Sequence, residues 1–230
     1  MNTTPVLFNR NPWSIGKEME QPSKLDIKNT FGLWNASIDD AVLYGGEVTR
    51  QALRVMNLRH DRKNIIVDTK IHMLMPGWSP AILGWHTDGA PRDNKKNPQG
   101  SGLPDTFAQE NDVRFNHYHF LVTGQGCLTE YIKGPLIIDI PSEPSESVYS
   151  VMSNTVDRQV KIHPQIVSTV PSCTAVEFDW WDIHRGVIAK KSEWRYLIRV
   201  CESDYYEPRK DLREVIRVQS QIYSPLDFGW

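Results

Sequence analysis

Trp85-His86-Thr87-Asp88-Gly89 sets a neutral nitrogen donor and an anionic oxygen donor two residues apart. On an extended strand that spacing puts both side chains on one face, roughly 7 Å apart at Cα, close enough to grip one ion between them. A third ligand must come from elsewhere in the chain. Downstream, Phe178-Asp179-Trp180-Trp181-Asp182-Ile183-His184-Arg185-Gly186 carries a short apolar and aromatic run into His184. Two histidines and one carboxylate on one side of a metal leave the opposite positions open. The competing reading is a turn in which Asp88 caps its own backbone, with His184 a satisfied histidine at a strand end.

Arg195 follows His184 with ten residues between them, inside the strand-like run Trp194-Arg195-Tyr196-Leu197-Ile198-Arg199-Val200. His86-x-Asp88, then His184, then ten residues, then Arg195 resembles the iron- and 2-oxoglutarate-dependent dioxygenases of the phytanoyl and prolyl hydroxylase type. The resemblance covers about residues 65–201. It implies a mainly β fold, a double-stranded β-helix (jelly roll) with flanking α-helices. It also implies that His86, Asp88 and His184 hold Fe(II) and that 2-oxoglutarate chelates the metal through its C1 carboxylate and keto oxygen. The arginine then pairs with the C5 carboxylate, and O2 takes the remaining position. Arg195, Leu197 and Arg199 share a strand face, so Arg199 competes for the co-substrate; the spacing favours Arg195, and Arg185 is a third contender. Thr129-Glu130-Tyr131 looks like the strand that faces the co-substrate in that family, which makes Tyr131 or His119 a further contact.

The chain has 230 residues, 40% of them hydrophobic, enough to bury one sizeable core, so a single domain is expected over 1–230. A net charge of −2 gives no basic footprint. Nucleic-acid binding is therefore not favoured, and a small-molecule substrate is. Cys127, Cys173 and Cys201 form no CxxC pair and read as reduced core residues. The first residues lack a basic segment followed by an apolar one, and no window approaches 18 apolar residues. A soluble, cytoplasmic protein without membrane spans is the expectation.

Residues 1–36, rich in Asn and Pro with scattered aromatics, read as an irregular N-terminal arm. Residues 37–58 read as a support helix capped by Ser37 and weakened at Gly45-Gly46. A jelly-roll core is expected over 64–201. Its first strand is 64–75, with Ile65, Val67, Ile71 and Met73 on one face and His72 on the other, as a surface or sheet-face histidine. The polar, Gly- and Pro-punctuated stretch 89–112 reads as a lid whose Arg92, Lys95 and Lys96 could meet an anion. Residues 113–122 read as a strand bearing a second pair, His117-x-His119. That pair lacks the downstream Glu of the cupin pattern, since Thr123 and Gly124 stand there.

Residues 120–132 read as a hairpin, and 136–140, 148–152, 159–162 and 166–170 as further short strands. Residues 205–230 read as a C-terminal helix and tail. Leu212, Val215, Ile216 and Gln219 lie on one helical stripe that could pack on the sheet or on a second subunit. No P-loop, GxGxxG, GxSxG or HExxH occurs. The expected activity is hydroxylation of a small molecule or free amino acid. The alternatives are a hydroxylase of a nucleic-acid base or protein side chain, and a non-catalytic jelly-roll (cupin-like) binding module.

Overall fold

Two antiparallel strands of eleven residues, Asn64–Leu74 and Glu193–Ser203, form the spine of the molecule, paired from Leu74 opposite Glu193 to Asn64 opposite Ser203. The computed structural model describes residues 2–81, 83–93, 102–110, 116–218, 220 and 222–223. In chain order the first elements are β1 (Thr3–Phe8), β2 (Ser14–Glu18), α1 (Lys24–Lys28), β3 (Gly32–Ser37), α2 (Ile38–Tyr44), α3 (Gly46–Val55) and β4 (Asn64–Leu74). There follow α4 (Thr106–Glu110), β5 (His117–Val122), β6 (Glu130–Ile132), β7 (Leu136–Pro141), α5 (Val148–Ile162) and β8 (Val167–Thr169). The chain continues through β9 (Thr174–Asp179), β10 (His184–Arg185), β11 (Glu193–Ser203), α6 (Leu212–Val215) and β12 (Ile216–Arg217).

The fold is mainly β, and its sheets are antiparallel. A seven-stranded sheet runs β12-β3-β4-β11-β5-β9-β2, a three-stranded sheet runs β10-β6-β8, and β1 pairs with β7. The large sheet is covered on both faces, so β4 and β11 are largely buried along their length even where they carry polar residues such as Asp68, His72 and Arg195. On one side Val67, Leu121, Tyr196 and Ile198 pack with Ala41, Val48 and Ala52 of α2 and α3. On the other, Ile66, Tyr118 and Phe178 pack with Trp85, Tyr131 and Ile132, with Ile138 of β7, and with Met152 and Val156 of α5. Each such fully buried large side chain contributes roughly 1.5–3 kcal/mol relative to exposure.

Several expectations are corrected. The arm 1–36 is not irregular: it supplies three strands and a helix, because β1 finds its partner in β7 and β2 in β9. The support helix is two helices. Ser37 does cap the first, accepting from the Asp40 amide at 3.1 Å, but the chain breaks at Gly45-Gly46, where Gly46 takes φ +77°. Residues 148–152 and 159–162 are not strands but the ends of one helix, α5, which buries Val148, Met152 and Val156 at successive turns. Residues 120–132 are not a hairpin, since β5 and β6 lie in different sheets.

The tail helix is a single turn, α6, after which β12 pairs with β3; Gln219 lies outside the described residues. His72 is fully buried. Residues 113–115 of the expected strand also lie outside the described residues, and β5 begins at His117. The three cysteines are buried free thiols. Among the described residues no helix is long and apolar enough to cross a membrane.

Candidate metal centre and co-substrate pocket

His86 and His184 meet through their main chains. Each amide donates to the other's carbonyl, both at 3.0 Å, an isolated antiparallel bridge that adds His86 to the edge of β10. Residues directly opposite one another in such a pair project to the same face, so the two imidazoles become neighbours, with ring centroids 4.8 Å apart. Each ring is turned by a carbonyl. Nδ1 of His86 lies 2.8 Å from Gly84 O and Nδ1 of His184 lies 3.0 Å from Asp182 O. A carbonyl can only accept, so Nδ1 carries the proton, and in a neutral ring Nε2 keeps its lone pair for a metal. Burial, reinforced by the charge of His86, pushes the His184 pKa down to about 4, which leaves it neutral at pH 7.

Asp88 completes the group. Its Oδ2 stands 3.9 Å from His184 Nε2, and one donor atom from each of His86, Asp88 and His184 lies within 4.8 Å of the others. With metal bonds of about 2.0–2.2 Å, small side-chain rotations bring all three onto one ion. Burial would raise the Asp88 pKa, but Arg199 beside it, then the two histidines, hold its carboxyl well below the usual carboxylate range. It is an anion at any pH of interest. The adjacent Gly89 takes φ +76°, and a Cβ there would come within 1.9 Å of Tyr118 Oη. The turn that aims Asp88 therefore requires glycine on both conformational and steric grounds.

The two competing arginines have different partners. Arg199 Nη1 donates to Asp88 Oδ2 at 2.9 Å and its Nη2 to Asp68 Oδ2 at 2.8 Å, so Arg199 is a bridge between two carboxylates. Arg195 is 2% exposed; its Nε donates to Cys127 O at 3.2 Å, while its buried Nη1 has no partner. Burial lowers the Arg195 pKa, the sign of a cation held without a full counter-charge.

Both arginines line one cavity of about 300 Å³ with His86, Asp88 and His184, and Lys70, opposite Leu197 on β4, projects into the same space. Burial and the neighbouring Arg199 depress the Lys70 pKa. Phe120 and Leu197 supply apolar wall. A buried guanidinium with an orphaned N–H beside a second cation is a fit for a carboxylate, and two imidazoles with a carboxylate are a fit for Fe(II).

Tyr131 is fully buried opposite His184 in the β6–β10 pair, its ring centroid 5.7 Å away, and its buried hydroxyl has no hydrogen-bond partner. One expected contact lies elsewhere. His119 points to the other face of β5 from Phe120 and bonds Glu202 at 2.8 Å. Arg185, the third arginine considered, stacks over Trp85 and pairs with Glu130 at 2.8 Å. Asp68 and Lys70 went unnoticed in the sequence. Two-residue alternation from Ile66 places them on one face, but nothing local says that face is a cavity rather than core.

His86 and Asp88 also line a more open cleft of about 490 Å³ with Arg92 and Tyr149. The two ends of the expected lid pair here. Asp93 N donates to Leu103 O at 3.1 Å and Arg92 Nη1 to Gly102 O at 2.8 Å, while Lys95 and Lys96 lie outside the described residues.

No protein-family model and no curated protein matches the chain. Among solved structures, the crystal structure of an oxidoreductase of the 2OG-Fe(II) oxygenase family from Burkholderia pseudomallei is similar at 10% sequence identity and a TM-score of 0.31. The match spans 91% of this chain and 77% of that chain. Likeness at that level leaves the chemistry to be argued from the residues.

Proposed function

We propose that the chain is an Fe(II)- and 2-oxoglutarate-dependent oxygenase of the double-stranded β-helix type that hydroxylates a small molecule. The observation that carries this reading is the unpaired, buried Nη1 of Arg195 in the same cavity as His86, Asp88 and His184. A metal triad alone fits many activities; a triad facing a buried cation that lacks an anion fits a co-substrate with a distal carboxylate. The cavity volume, about 300 Å³, is that of a small-molecule site.

In this reading His86, Asp88 and His184 hold the iron, and bound there it supplies open positions for O2 and for the oxidative decarboxylation of 2-oxoglutarate to succinate. The protein's own residues do the placing. Arg195 pairs with the distal carboxylate and Lys70 adds charge beside it. Arg199 keeps Asp88 ionised and aimed, the carbonyls of Gly84 and Asp182 fix the imidazole tautomers, and Phe120 and Leu197 keep water from the co-substrate.

The test is succinate release from 2-oxoglutarate by the purified chain supplied with Fe(II) and O2, with and without pooled metabolites. Iron-dependent succinate that disappears in His184→Ala is the expected result. Neither succinate nor 2-oxoglutarate binding would leave a non-catalytic binding module as the reading.

A further inference from the structure

A second cluster of metal-binding side chains lies on the opposite face of β5 from the triad. His117 and His119 of β5, Glu177 of β9 and Glu202 of β11 project from three adjacent strands. One donor atom from each of His117, His119 and Glu177 lies within 4.8 Å of the others. His117 Nε2 is 2.7 Å from Glu177 Oε1, and the two imidazole centroids are 5.1 Å apart. We propose that His117, His119 and Glu177 form a second, non-catalytic divalent transition-metal site that clasps β5 to β9, with Glu202 of β11 holding His119 in place.

Three observations support a metal rather than a pair of hydrogen bonds alone. First, both histidines are almost completely buried, and Nδ1 of His117 has no partner, so the hydrogen-bonded arrangement leaves a polar atom unsatisfied. Second, Glu202 is arranged as the support that ligand histidines have. It is 0% exposed and accepts from the amides of Arg59 at 2.9 Å and His60 at 2.7 Å. Its Oε1 also lies 2.8 Å from His119 Nε2, which fixes the orientation of that ring.

Third, there is an entrance. A cleft of about 400 Å³ reaches His117 and Glu177 from solvent. What stands against an ion is the Arg59 guanidinium, whose Nε donates to Glu177 Oε1 at 3.0 Å. Its side chain is 45% exposed and can swing into water. Two imidazoles and one carboxylate, with a water in the fourth position, suit Zn(II). The inference is independent of the proposed oxygenase activity.

The experiment uses the full chain with His86→Ala and His184→Ala together, which removes the first site, stripped with chelator and titrated with Zn(II). About one equivalent should bind. Adding His119→Ala should remove it, and Glu202→Gln should weaken it by about 10- to 100-fold. Arg59→Leu, a change at an exposed side chain, should tighten binding several-fold because the competing cation is gone. No zinc bound by the double variant, or zinc that survives His119→Ala, overturns the proposal. If the histidine variants fail to fold, the Arg59→Leu chain decides: unchanged affinity for Zn(II) against the parent also overturns it.

Discussion

Arg199 donates to Asp88 at 2.9 Å, so the arginine that shares a strand face with Arg195 is already engaged by a carboxylate of the candidate metal centre. Arg199→Leu would leave Asp88 and Asp68, both largely buried, without their shared counter-charge. A loss of about 1–3 kcal/mol in stability is expected, together with weaker iron retention. Denaturant midpoints and iron content after desalting measure both; an unchanged midpoint with full iron content would show that the bridge is incidental.

Arg195→Leu should act differently. Removing a buried guanidinium from the distal carboxylate costs about 2–4 kcal/mol, so the apparent affinity for 2-oxoglutarate should fall by roughly 30- to 1000-fold while iron stays bound. A 2-oxoglutarate titration at fixed iron, run beside Arg199→Leu, separates the two roles. Near wild-type affinity in Arg195→Leu would remove the co-substrate assignment.

Gly89→Ala forces an L side chain to φ +76° and drives its Cβ into Tyr118 Oη. We expect a loss of about 1–3 kcal/mol and displacement of Asp88. Because the nearest atom is the hydroxyl, adding Tyr118→Phe should return part of the thermal midpoint. No recovery would mean that the backbone conformation alone carries the cost.

Asp182 supplies a pH dependence. Its burial, then the nearby Asp179 carboxylate, raise its pKa to about 7. The folded protein therefore holds a proton that the unfolded chain releases near 3.8. Stability from this group is present below that lower value, declines as pH rises, and is lost above about 7. Asp182→Asn, permanently neutral, should escape the decline, so its advantage in thermal midpoint should grow between pH 5 and pH 8. Parallel curves for the two proteins would contradict the raised pKa.

The His86–Asp88 pair and the two long strands were legible in the sequence because their signals are local: two donors at a strand spacing, and strand-like runs in β4 and β11. What failed was non-local. β1 looked irregular because its partner β7 lies far downstream, and Gly124-Gln125-Gly126 announced a turn without telling whether the strands on either side would pair. In α5 the apolar residues Val148, Met152 and Val156 fit a helix stripe, but β-branched neighbours and no side-chain cap at Ser147 made its two ends look like strands. Arg195 and Arg199 were indistinguishable by face. The choice turns on Asp68 and Asp88, two acids from other segments.

The spread of the candidate metal ligands along the chain gives the proposed site a place in time. On the ribosome His86 and Asp88 emerge long before the strand that carries His184, and the arginine that neutralises Asp88 is added 111 positions after it. Until then the nascent chain presents a histidine and an unbalanced carboxylate but no cage. On the proposed reading, iron loading follows the synthesis of β11 rather than that of the His86–Asp88 pair.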